Sequence, residues 1–418
     1  MREYETVIGL EVHVELATKT KIFCGCSTAF GGAPNTHTCP VCTGMPGSLP
    51  VLNKQVVEYA MAVGLATNCA ITQNCKFDRK NYFYPDNPQN YQISQLYYPI
   101  CRNGHVDIEV DGVKKSIGIH EIHMEEDAGK LIHDEWEDCS LVDFNRSGVP
   151  LIEIVSEPDM RSAEEVIAYL EKLRMTIQYL GASDCKMQEG SMRADVNISV
   201  REVGAAEFGT RTEMKNLNSF KSIARAIEGE RNRQIELIED GKKVVQETRR
   251  WDDAKESSYA MRSKEDAQDY RYFPEPDLVP IVISDEWIAR VKSQQPEFRE
   301  EKKARYQEEF GLPEYDADII TGTKHLADIF EEATKICGKP KKVSNWIMGE
   351  TMRLLKEKEM DPEDITFAPE NLAKIVNLAD AGTINNTAAK EVFEAVFNDN
   401  VDPDVYVEEN KMKQVNDE

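Results

Sequence analysis

Acidic and basic side chains alternate with aliphatic ones in a short stretch near the N-terminus. In GLEVHVEL, residues 9–16, Glu11, His13 and Glu15 occupy every second position. This alternation predicts a strand that is apolar on one face and polar on the other. The polar face either meets water or supplies ligands for a metal ion and groups around a substrate.

Three later runs repeat the pattern: IHEIHMEED (119–127), PLIEIVSEPD (150–159) and MRADVNISVR (192–201). In each run, polar residues at every second position are expected on one side of the strand. They are Glu121, His123, Glu125 and Asp127 in the first run, Glu153 and Glu157 in the second, and Arg193, Asp195 and Asn197 in the third. If these strands pair in one sheet, one face packs on helices and the other is an open platform of acids, histidine and arginine. Carboxylate ligands favour Mg²⁺ or Mn²⁺, and a magnesium platform beside arginines suits phosphoryl transfer.

The alternative is a solvated face, which is the usual fate of one polar strand face. Two observations oppose it here: these stretches contain few lysines, and stacked acids repel unless a cation lies between them. The chain has no G-x-x-x-x-G-K-[ST] loop and no G-x-G-x-x-G after a strand. A nucleotide would therefore be held by the metal-lined sheet itself.

RTEMKNLNSF, residues 211–220, is the best companion for such a platform. Lys215 could meet a phosphate, Asn216 and Asn218 could donate hydrogen bonds from a turn, and Ser219 could cap the next helix. The alternative interpretation is an Asn-rich turn that only starts a helix.

Four of the ten cysteines form a C-x-C pair, a gap of twelve residues and a C-x-x-C pair. Short pairs around a loop are typical of a tetrahedral thiolate zinc site, which we expect to be structural. Four unbound thiols, or His37 in place of one cysteine, remain alternatives. The other six cysteines are expected to be reduced, small buried residues.

Composition restricts the class of protein. The 418 residues are 41% hydrophobic and 30% charged, with 50 Lys and Arg against 75 Asp and Glu, a formal charge of −25. This acidity argues against nucleic-acid binding through the whole surface, although a local basic face, such as the lysines between 335 and 342, remains compatible with it. We find no apolar run of about 18 residues and no room for a signal peptide, so we expect no membrane span and a cytoplasmic, most simply bacterial, location.

The elements that must position these residues follow from periodicity. Helices are predicted at 56–67, at 162–180 with a Ser162–Glu165 capping box, and from Ser219 to Gly241, while 77–99 reads as an ordered loop or irregular hairpin. FPEPDLVP (273–280) looks like a boundary, and the pattern is helical from about 285 onward. The predicted fold is α+β: a mainly antiparallel sheet with helices on one face, followed by an all-helical domain.

At this point long sequence blocks resemble a known family. GLEVHVEL, CGC…CPVC, NYFYPDNPQNYQISQ, HMEEDAGK, FNRSGVPLIEIVSEPD, MRADVNISVR, RTEMKNLNSF, RYFPEPDLVP and GTINNTAAKEVF are similar to the B subunit of the aspartyl-tRNA(Asn)/glutamyl-tRNA(Gln) amidotransferase. The blocks follow the family order from residue 5 to residue 397.

The resemblance implies a function and an assembly. The B subunit works in a heterotrimer with an amidase-type A subunit, which releases ammonia, and a small C subunit. It binds mischarged tRNA and uses ATP and Mg²⁺ (or Mn²⁺) to phosphorylate the side-chain carboxylate of the attached Glu or Asp. Ammonia then displaces phosphate. The implied domains are a glutamine-synthetase-like catalytic domain at 1–284, with a zinc knuckle at 20–45, and a helical domain at 285–418. In the family a small tail domain follows about where this chain ends, so we expect its tRNA contacts to be missing here.

The resemblance also implies roles for individual residues. The catalytic groups are Glu11, His13, Glu125 and Glu153. The magnesium ligands are those four with Glu126. The ATP side holds Arg193, Asp195, Lys215 and Asn218. The aminoacyl end of the tRNA meets Tyr82, Tyr84, Asp86 and Tyr91. The zinc ligands are Cys24, Cys26, Cys39 and Cys42.

Two other functions remain open from the residues. A free-standing amide ligase acting on a small acid would need neither tRNA nor a partner, and activity on free glutamate would favour it. A non-catalytic tRNA-binding scaffold would be expected to lack the acidic platform, yet Glu11, His13, Glu125 and Glu153 are all present.

Overall fold

The computed structural model describes residues 2–134, 137–263 and 269–414. The chain divides into two compact units, Met1–Gln295 and Pro296–Glu418. This division falls eleven residues after the boundary expected from the sequence, because the last helix of the first unit packs on its first helix. Trp287 and Arg290 in that last helix both donate hydrogen bonds to Glu58, at 3.0 Å and 2.6 Å.

The strands of the first unit vary in length from two residues to fourteen. They are β1 (Tyr4–Glu15), β2 (Ala70–Ile71), β3 (Asn74–Cys75), β4 (Asp78–Asn81), β5 (Tyr91–Ser94), β6 (Cys101–Val110), β7 (Val113–Glu126), β8 (Lys130–His133), β9 (Ser140–Asp143), β10 (Pro150–Ser156), β11 (Met192–Glu202), β12 (Thr212–Lys215), β13 (Glu247–Asp252), β14 (Ser257–Ser263), β15 (Phe273–Pro274) and β16 (Ile281–Val282). Its helices are α1 (Lys54–Ala66), α2 (Ala163–Tyr179), α3 (Phe220–Glu239) and α4 (Asp285–Ser293).

Nine strands form one sheet in the order β14-β13-β12-β11-β1-β10-β7-β6-β2. Every neighbouring pair is antiparallel except β12 and β13, which confirms the predicted mainly antiparallel sheet. Four aliphatic residues of β1 (Ile8, Leu10, Val12 and Val14) are buried and share one core with the apolar stripe of α2. One face of the sheet is therefore covered, and its polar residues lie on the other.

The predicted helix starts are confirmed in position. Ser162 and Ser219 each accept a hydrogen bond from the backbone N–H three residues ahead. The capping box is not closed, because the Glu165 carboxylate accepts its bond from the N–H of Arg161, at 2.7 Å, and not from that of Ser162. Each cap still satisfies one N–H that the first helical turn leaves free.

Residues 77–99 form a hairpin of β4 and β5, which agrees with the irregular hairpin expected there. The turn at 273–280 is no boundary. Its strand β15 pairs with β4, and buried Glu275 receives two hydrogen bonds from Arg79, at 2.6 Å and 2.9 Å. These contacts hold the tyrosine-containing segment before β15 against the hairpin.

The second unit is helical throughout its described residues. It consists of α5 (Arg299–Glu308), α6 (Glu314–Ile320), α7 (Lys324–Cys337), α8 (Pro340–Trp346), a π-helical turn (Ile347–Thr351), α9 (Met352–Glu357), a 3₁₀ turn (Pro362–Asp364), α10 (Pro369–Asp380), α11 (Asn386–Asp399) and α12 (Pro403–Glu409). These helices enclose a hydrophobic core of their own. Among the helices that the structure describes, none has the length and apolar character needed to cross a membrane.

Candidate functional site

The centre of the platform is formed by three strands that pair in register. His13 of β1 lies opposite Glu153 of β10, and the next strand, β7, contributes Glu125. The Nε2 atom of His13 is 3.5 Å from one oxygen of Glu125 and 3.5 Å from one oxygen of Glu153. One ligand atom from each of these three residues lies within 4.8 Å of the others, so they can hold one cation together. The structure therefore gathers three of the four predicted catalytic residues at one point.

His123 joins this group, although the sequence pattern showed only that it shares the face. Its Nε2 atom is 2.8 Å from Glu153, and its Nδ1 atom is 3.3 Å from Glu121. Burial favours neutral histidine, but Glu153 and the neighbouring carboxylates outweigh it and hold the pKa of His123 well above its ordinary value. Burial would raise the pKa of Glu153, yet His123 and His13 hold it well below the ordinary value. His123 therefore fixes the Glu153 carboxylate, which faces the platform.

Glu11, the fourth predicted catalytic residue, belongs to a second acidic group. Glu11, Asp195 and Glu213 offer ligand atoms within 4.8 Å of one another. Burial raises the pKa of Glu11, and the charges of Glu153, Glu213 and Asp195 add to the effect. Glu213 was not singled out from the sequence, although it shares parity with Lys215 on β12.

One lysine partly neutralises the charge of this second acidic group, and one side-chain amide donates a hydrogen bond to it. The ammonium of Lys215 is 2.6 Å from Asp195 and 3.1 Å from Glu213. The side-chain amide of Asn197 donates to Glu11 at 3.2 Å. Burial would lower the pKa of Lys215, but the two carboxylates raise it, so the lysine stays charged. Three carboxylates against one ammonium leave net negative charge for a cation to neutralise.

Arginines lie at the far end of the platform. The guanidinium of Arg193 is 3.2 Å from Asp127, and that of Arg146 is 3.6 Å from the same oxygen. Burial and the adjacent Asp127 raise the pKa of Glu15 to about 8. Glu15 and Asp127 were predicted to lie on the polar face but were given no role, and Arg146 was not singled out from the sequence. Both arginines remain partly exposed, so an anion can reach them.

Glu126 is not brought to the other predicted magnesium ligands. It lies opposite Pro150 and shares parity with the buried residues of β7, so its side chain points to the covered face of the sheet. There its carboxylate accepts hydrogen bonds from the N–H of Ile93, at 3.1 Å, and from Gln89, at 3.4 Å. Burial raises the pKa of Glu126 to about 8.

The predicted aminoacyl-binding residues separate into two groups. Tyr82 is half-buried, and burial together with the charges of Asp86 and Glu125 raises its pKa. Tyr84 is mostly exposed, and the ring of Tyr91 packs 4.1 Å from the guanidinium carbon of Arg79.

Two tyrosines from the segment before β15 extend an aromatic cluster that begins with Tyr82. The Tyr82 and Tyr270 rings meet edge to face at 6.3 Å, and Tyr270 meets Tyr272 at 6.0 Å. Burial, followed by Tyr270, Glu125 and Glu153, raises the pKa of Tyr272. The block RYFPEPDLVP contained the sequence signal for Tyr272, whereas Tyr270 lies just before it and was not singled out.

The structure also shows the surroundings of Asn218 and of the lysine cluster in the helical unit. Asn218 is exposed and makes no side-chain hydrogen bond within the part of the chain that the structure describes. In the lysine cluster of the helical unit, Lys339 and Lys342 both pair with Asp380, so this patch is partly neutralised.

The four clustered cysteines lie on the loop between β1 and α1. The sulfur atoms of Cys24, Cys26, Cys39 and Cys42 are all within 4.8 Å of one another. The ring of His37 is outside this set, so the arrangement favours four sulfurs over three sulfurs and a histidine. Such a set matches the preferred tetrahedral ligands of Zn²⁺.

A fully buried lysine supports the cysteine loop. The ammonium of Lys21 donates to the carbonyl oxygens of His37, at 2.8 Å, and Phe144, at 3.2 Å, and to the sulfur of Cys42, at 3.4 Å. Contact with Cys24, with help from Cys39 and Lys21, lowers the pKa of Cys42 to about 4. Burial raises the pKa of Cys26 to about 11. A buried cation beside the sulfurs offsets the charge of thiolates.

The fold and site together define a class. This is an α+β protein with an antiparallel sheet whose open face gathers two oxygen-rich ligand groups, flanked by lysine and arginine. Such an arrangement can hold divalent cations and the anions that accompany them.

Comparison with known proteins identifies the family. A sequence profile of the GatB/GatE catalytic domain matches residues 6–289, and a profile of the GatB domain matches residues 328–418. The chain therefore belongs to the GatB family. It is 79% identical over 418 residues to the B subunit of the aspartyl/glutamyl-tRNA(Asn/Gln) amidotransferase of Agathobacter rectalis, covering 100% of this chain and 88% of the relative.

More distant relatives bear the same name. The B subunit of Lachnoclostridium phytofermentans is 72% identical over 418 residues, covering 100% of this chain and 87% of the relative. The B subunit of Carboxydothermus hydrogenoformans is 55% identical over 420 residues, with the same coverage. The similarity therefore extends over both units of the chain.

Proposed function

We propose that this chain is the component of a tRNA-dependent amidotransferase that activates the side-chain carboxylate of Glu-tRNA(Gln) or Asp-tRNA(Asn) with ATP and transfers ammonia to it. The observation that carries the proposal is the pair of ligand groups on one sheet face, His13–Glu125–Glu153 and Glu11–Asp195–Glu213. The family supplies the substrate class, because its relatives are named for these aminoacyl-tRNAs.

The proposed reaction overcomes the low reactivity of a carboxylate. Its oxygen is a poor leaving group, so ammonia cannot displace it directly. A carboxylate oxygen first attacks the γ-phosphorus of ATP, ADP leaves, and an acyl phosphate forms. Ammonia then adds to the acyl carbon, the C–O bond to phosphate breaks, and loss of one proton leaves the amide. The products are Gln-tRNA(Gln) or Asn-tRNA(Asn), ADP and inorganic phosphate.

The platform residues fit this reaction. When bound, Mg²⁺ (or Mn²⁺) would neutralise charge on the phosphate oxygens of ATP. His13, Glu125 and Glu153 would hold one such ion, and Glu11 and Asp195 would help to hold another. Hard oxygen ligands with one imidazole match either metal.

Charged and aromatic side chains beyond the ligands have separate roles in the proposal. Lys215 and Arg193 would offset negative charge that develops during transfer. Tyr82 and Tyr272 would shape the space next to the platform where the aminoacyl group must enter. This agrees with the raised pKa of both phenols, which burial beside carboxylates produces.

The sequence contains no nucleophile elbow of the G-x-S-x-G type, so it gives no sign that this chain releases ammonia itself. We therefore propose that an amidase-type A subunit is the source and that a small C subunit is the third member of a heterotrimer, which acts on mischarged tRNA in the bacterial cytoplasm. We also propose that the catalytic sheet is related to that of glutamine synthetase, which performs the same chemistry on free glutamate.

The four cysteines are proposed to bind one structural Zn²⁺. Four convergent sulfurs and a buried lysine that contacts one of them are suited to thiolate ligation. Such a site would leave no position open for substrate, so its role is to hold the 20–45 loop.

A product assay tests the proposed function. The purified chain is combined with ATP, Mg²⁺, Glu-tRNA(Gln) or Asp-tRNA(Asn), and a high concentration of ammonium salt. The assay is repeated with glutamine and with both proposed partners present. Gln-tRNA or Asn-tRNA from ammonium alone supports the activating role of this chain.

Two results would contradict it. Amidation of free glutamate without tRNA products would assign the chain to small-molecule amide ligases. Absence of amidated tRNA from every mixture, including those with both partners, would leave a non-catalytic tRNA-binding protein.

A further inference from the structure

The four clustered cysteines are accessible to small reactive molecules. Cys24, Cys26 and Cys39 are partly exposed, and of the four only Cys42 is buried. Cys24 and Cys42 also line a cleft of about 720 Å³, counted to its open mouth. A cleft of this size admits a molecule as small as a peroxide, and oxidation of a cysteine depends on such access.

The sulfur atoms are close enough to join in pairs without rebuilding the loop. All four lie within 4.8 Å of one another, and a disulfide requires about 2 Å between two sulfurs. The Cys24 side chain contacts that of Cys42, and the Cys26 side chain contacts that of Cys39. Each of these contacts connects one cysteine of the C-x-C pair to one cysteine of the C-x-x-C pair.

A buried charge depends on one of these sulfurs. Lys21 is fully buried, and its ammonium donates to the sulfur of Cys42, at 3.4 Å, as well as to two backbone carbonyls. A thiolate at Cys42 supplies a counter-charge for this ammonium, whereas a disulfide sulfur is neutral. Because a buried ammonium without a counter-charge is unfavourable, oxidation of Cys42 destabilises the position of the lysine.

Lys21 and Cys42 connect the cysteine loop to a strand of the platform. Phe144 accepts a hydrogen bond from Lys21, at 3.2 Å, and Ser147 donates one to the carbonyl of Cys42, at 2.9 Å. Both residues lie in the turn before β10, the strand that contains Glu153. A change at Cys42 therefore acts on the start of a strand that supplies a proposed cation ligand.

We propose that the cysteine cluster is a reversible oxidation site at which peroxide forms two disulfides, Cys24–Cys42 and Cys26–Cys39, with release of zinc and loss of activity at the platform. This reactivity rests on the proposed zinc site and on the proposed amidation. Each pair of thiolates loses two electrons as one S–S bond forms. One hydrogen peroxide takes up those electrons and two protons and becomes two water molecules. No sulfur then keeps the negative charge that a zinc ligand needs.

Peroxide treatment of the full, zinc-loaded chain tests the proposed site. Released zinc is followed with a coloured chelator that removes no zinc from the untreated chain, and free thiols are counted before and after treatment. We expect release of about one zinc ion per chain together with loss of the four clustered thiols. Peptide mapping without reductant should find the links Cys24–Cys42 and Cys26–Cys39.

The functional consequence is measured on the same samples. Ammonium-dependent formation of amidated tRNA should fall at least about fivefold after oxidation, and dithiothreitol with added Zn²⁺ should restore it. Dithiothreitol does not reduce methionine sulfoxide, so recovery assigns the loss to cysteines. Cys139→Ala is the matched control, because Cys139 is exposed and lies outside the cluster. This variant should lose zinc and activity as the wild type does.

Three results would overturn the inference while leaving the proposed function intact. The first is retention of zinc and of all four clustered thiols at a peroxide concentration that oxidises Cys139. The second is conversion of the sulfurs to sulfinic or sulfonic acids, which dithiothreitol does not reverse. The third is unchanged amidation after complete release of zinc.

Failures of the underlying proposals give different results. Absence of zinc from the freshly purified, reduced chain would overturn both the zinc proposal and the inference. Absence of amidated tRNA with the untreated chain and both partners would contradict the proposed function and, with it, the loss of activity on oxidation. Release of zinc and formation of the two disulfides would still be decided by the chelator and the peptide map.

Discussion

The cysteine cluster and the carboxylate platform are two ligand groups built in opposite ways. The four sulfurs come from one loop and span residues 24–42. The platform ligands come from β1, β7, β10, β11 and β12 and span residues 11–213. Local spacing is sufficient to bring the cysteines together, whereas the acids meet only because five strands pair in a particular register.

The two groups also differ in chemistry. Soft sulfurs in a closed loop suit a structural Zn²⁺. Carboxylates on an open sheet face suit an exchangeable Mg²⁺ that arrives with a nucleotide. They are physically connected, because Lys21 donates to Phe144 and the hydroxyl of Ser147 donates to the carbonyl of Cys42, at 2.9 Å. The cysteine loop thus supports the turn that leads into β10, a platform strand.

The largest expected effect comes from the platform. His13→Ala removes the imidazole shared by Glu125 and Glu153, so ammonium-dependent formation of amidated tRNA should fall about 10³-fold. The circular dichroism spectrum should be unchanged, because His13 faces away from the core. Turnover within threefold of wild type would remove His13 from the site.

The second effect concerns the cysteine loop. Cys39→Ala should lower the affinity for zinc at least about 100-fold, measured as zinc retained per chain after dialysis against a chelator. Cys139→Ala is the matched control, because Cys139 is exposed and distant in sequence from the cluster. Equal zinc retention in both variants would argue against thiolate ligation.

The third effect compares two adjacent glutamates on opposite faces of β7. Glu125→Gln should weaken Mn²⁺ binding at least about tenfold in an electron paramagnetic resonance titration, because Glu125 faces His13. Glu126→Gln should leave that affinity unchanged, since its carboxylate accepts the N–H of Ile93 on the covered face. If the two variants lose Mn²⁺ equally, then Glu126 does act as a ligand as first expected.

The smallest effect is a pH dependence of stability. Burial raises the pKa of Glu126 to about 8 from an ordinary 4.5, so the folded state binds more protons than the unfolded state between these values. The contribution of Glu126 to the free energy of unfolding is fully present below about pH 4.5. It is lost as the pH rises through 8, at up to about 1.4 kcal/mol per pH unit.

Urea unfolding at several pH values checks this prediction. Glu126→Gln should flatten the decline of stability between pH 6 and 8, because its amide does not ionise. A profile identical to that of the wild type would show that Glu126 is already ionised in the folded chain.

The fold was largely predictable from sequence, and the misses have physical causes. Hydrophobic periodicity correctly located α2 and α3. Ser162 and Ser219 were correctly predicted as N-cap residues, because capping depends only on neighbouring residues in the chain. The Pro-rich turn at 273–280 was misread as a boundary, since proline marks a turn but does not reveal that β15 pairs with β4, nearly two hundred residues earlier in the chain.

Prediction of the site was limited in the same way, because contacts between distant segments could not be read from the sequence. Alternation placed Glu11 and His13 on one face of their strand, and the structure shows that pairing of β1 with β10 brings Glu153 to the same face. Parity did not reveal that Glu213 joins Glu11, or that Tyr272 reaches the platform, because both contacts link segments far apart in the chain.

The sequence by itself determined which side chains share a strand face, where helices begin, and which four cysteines can share an ion, because each depends on spacing within one segment. Only the tertiary structure decided that the acids form two groups and that Glu126 points to the covered face. Those features depend on strand order and register, which arise from burial of one common core by segments far apart in the chain.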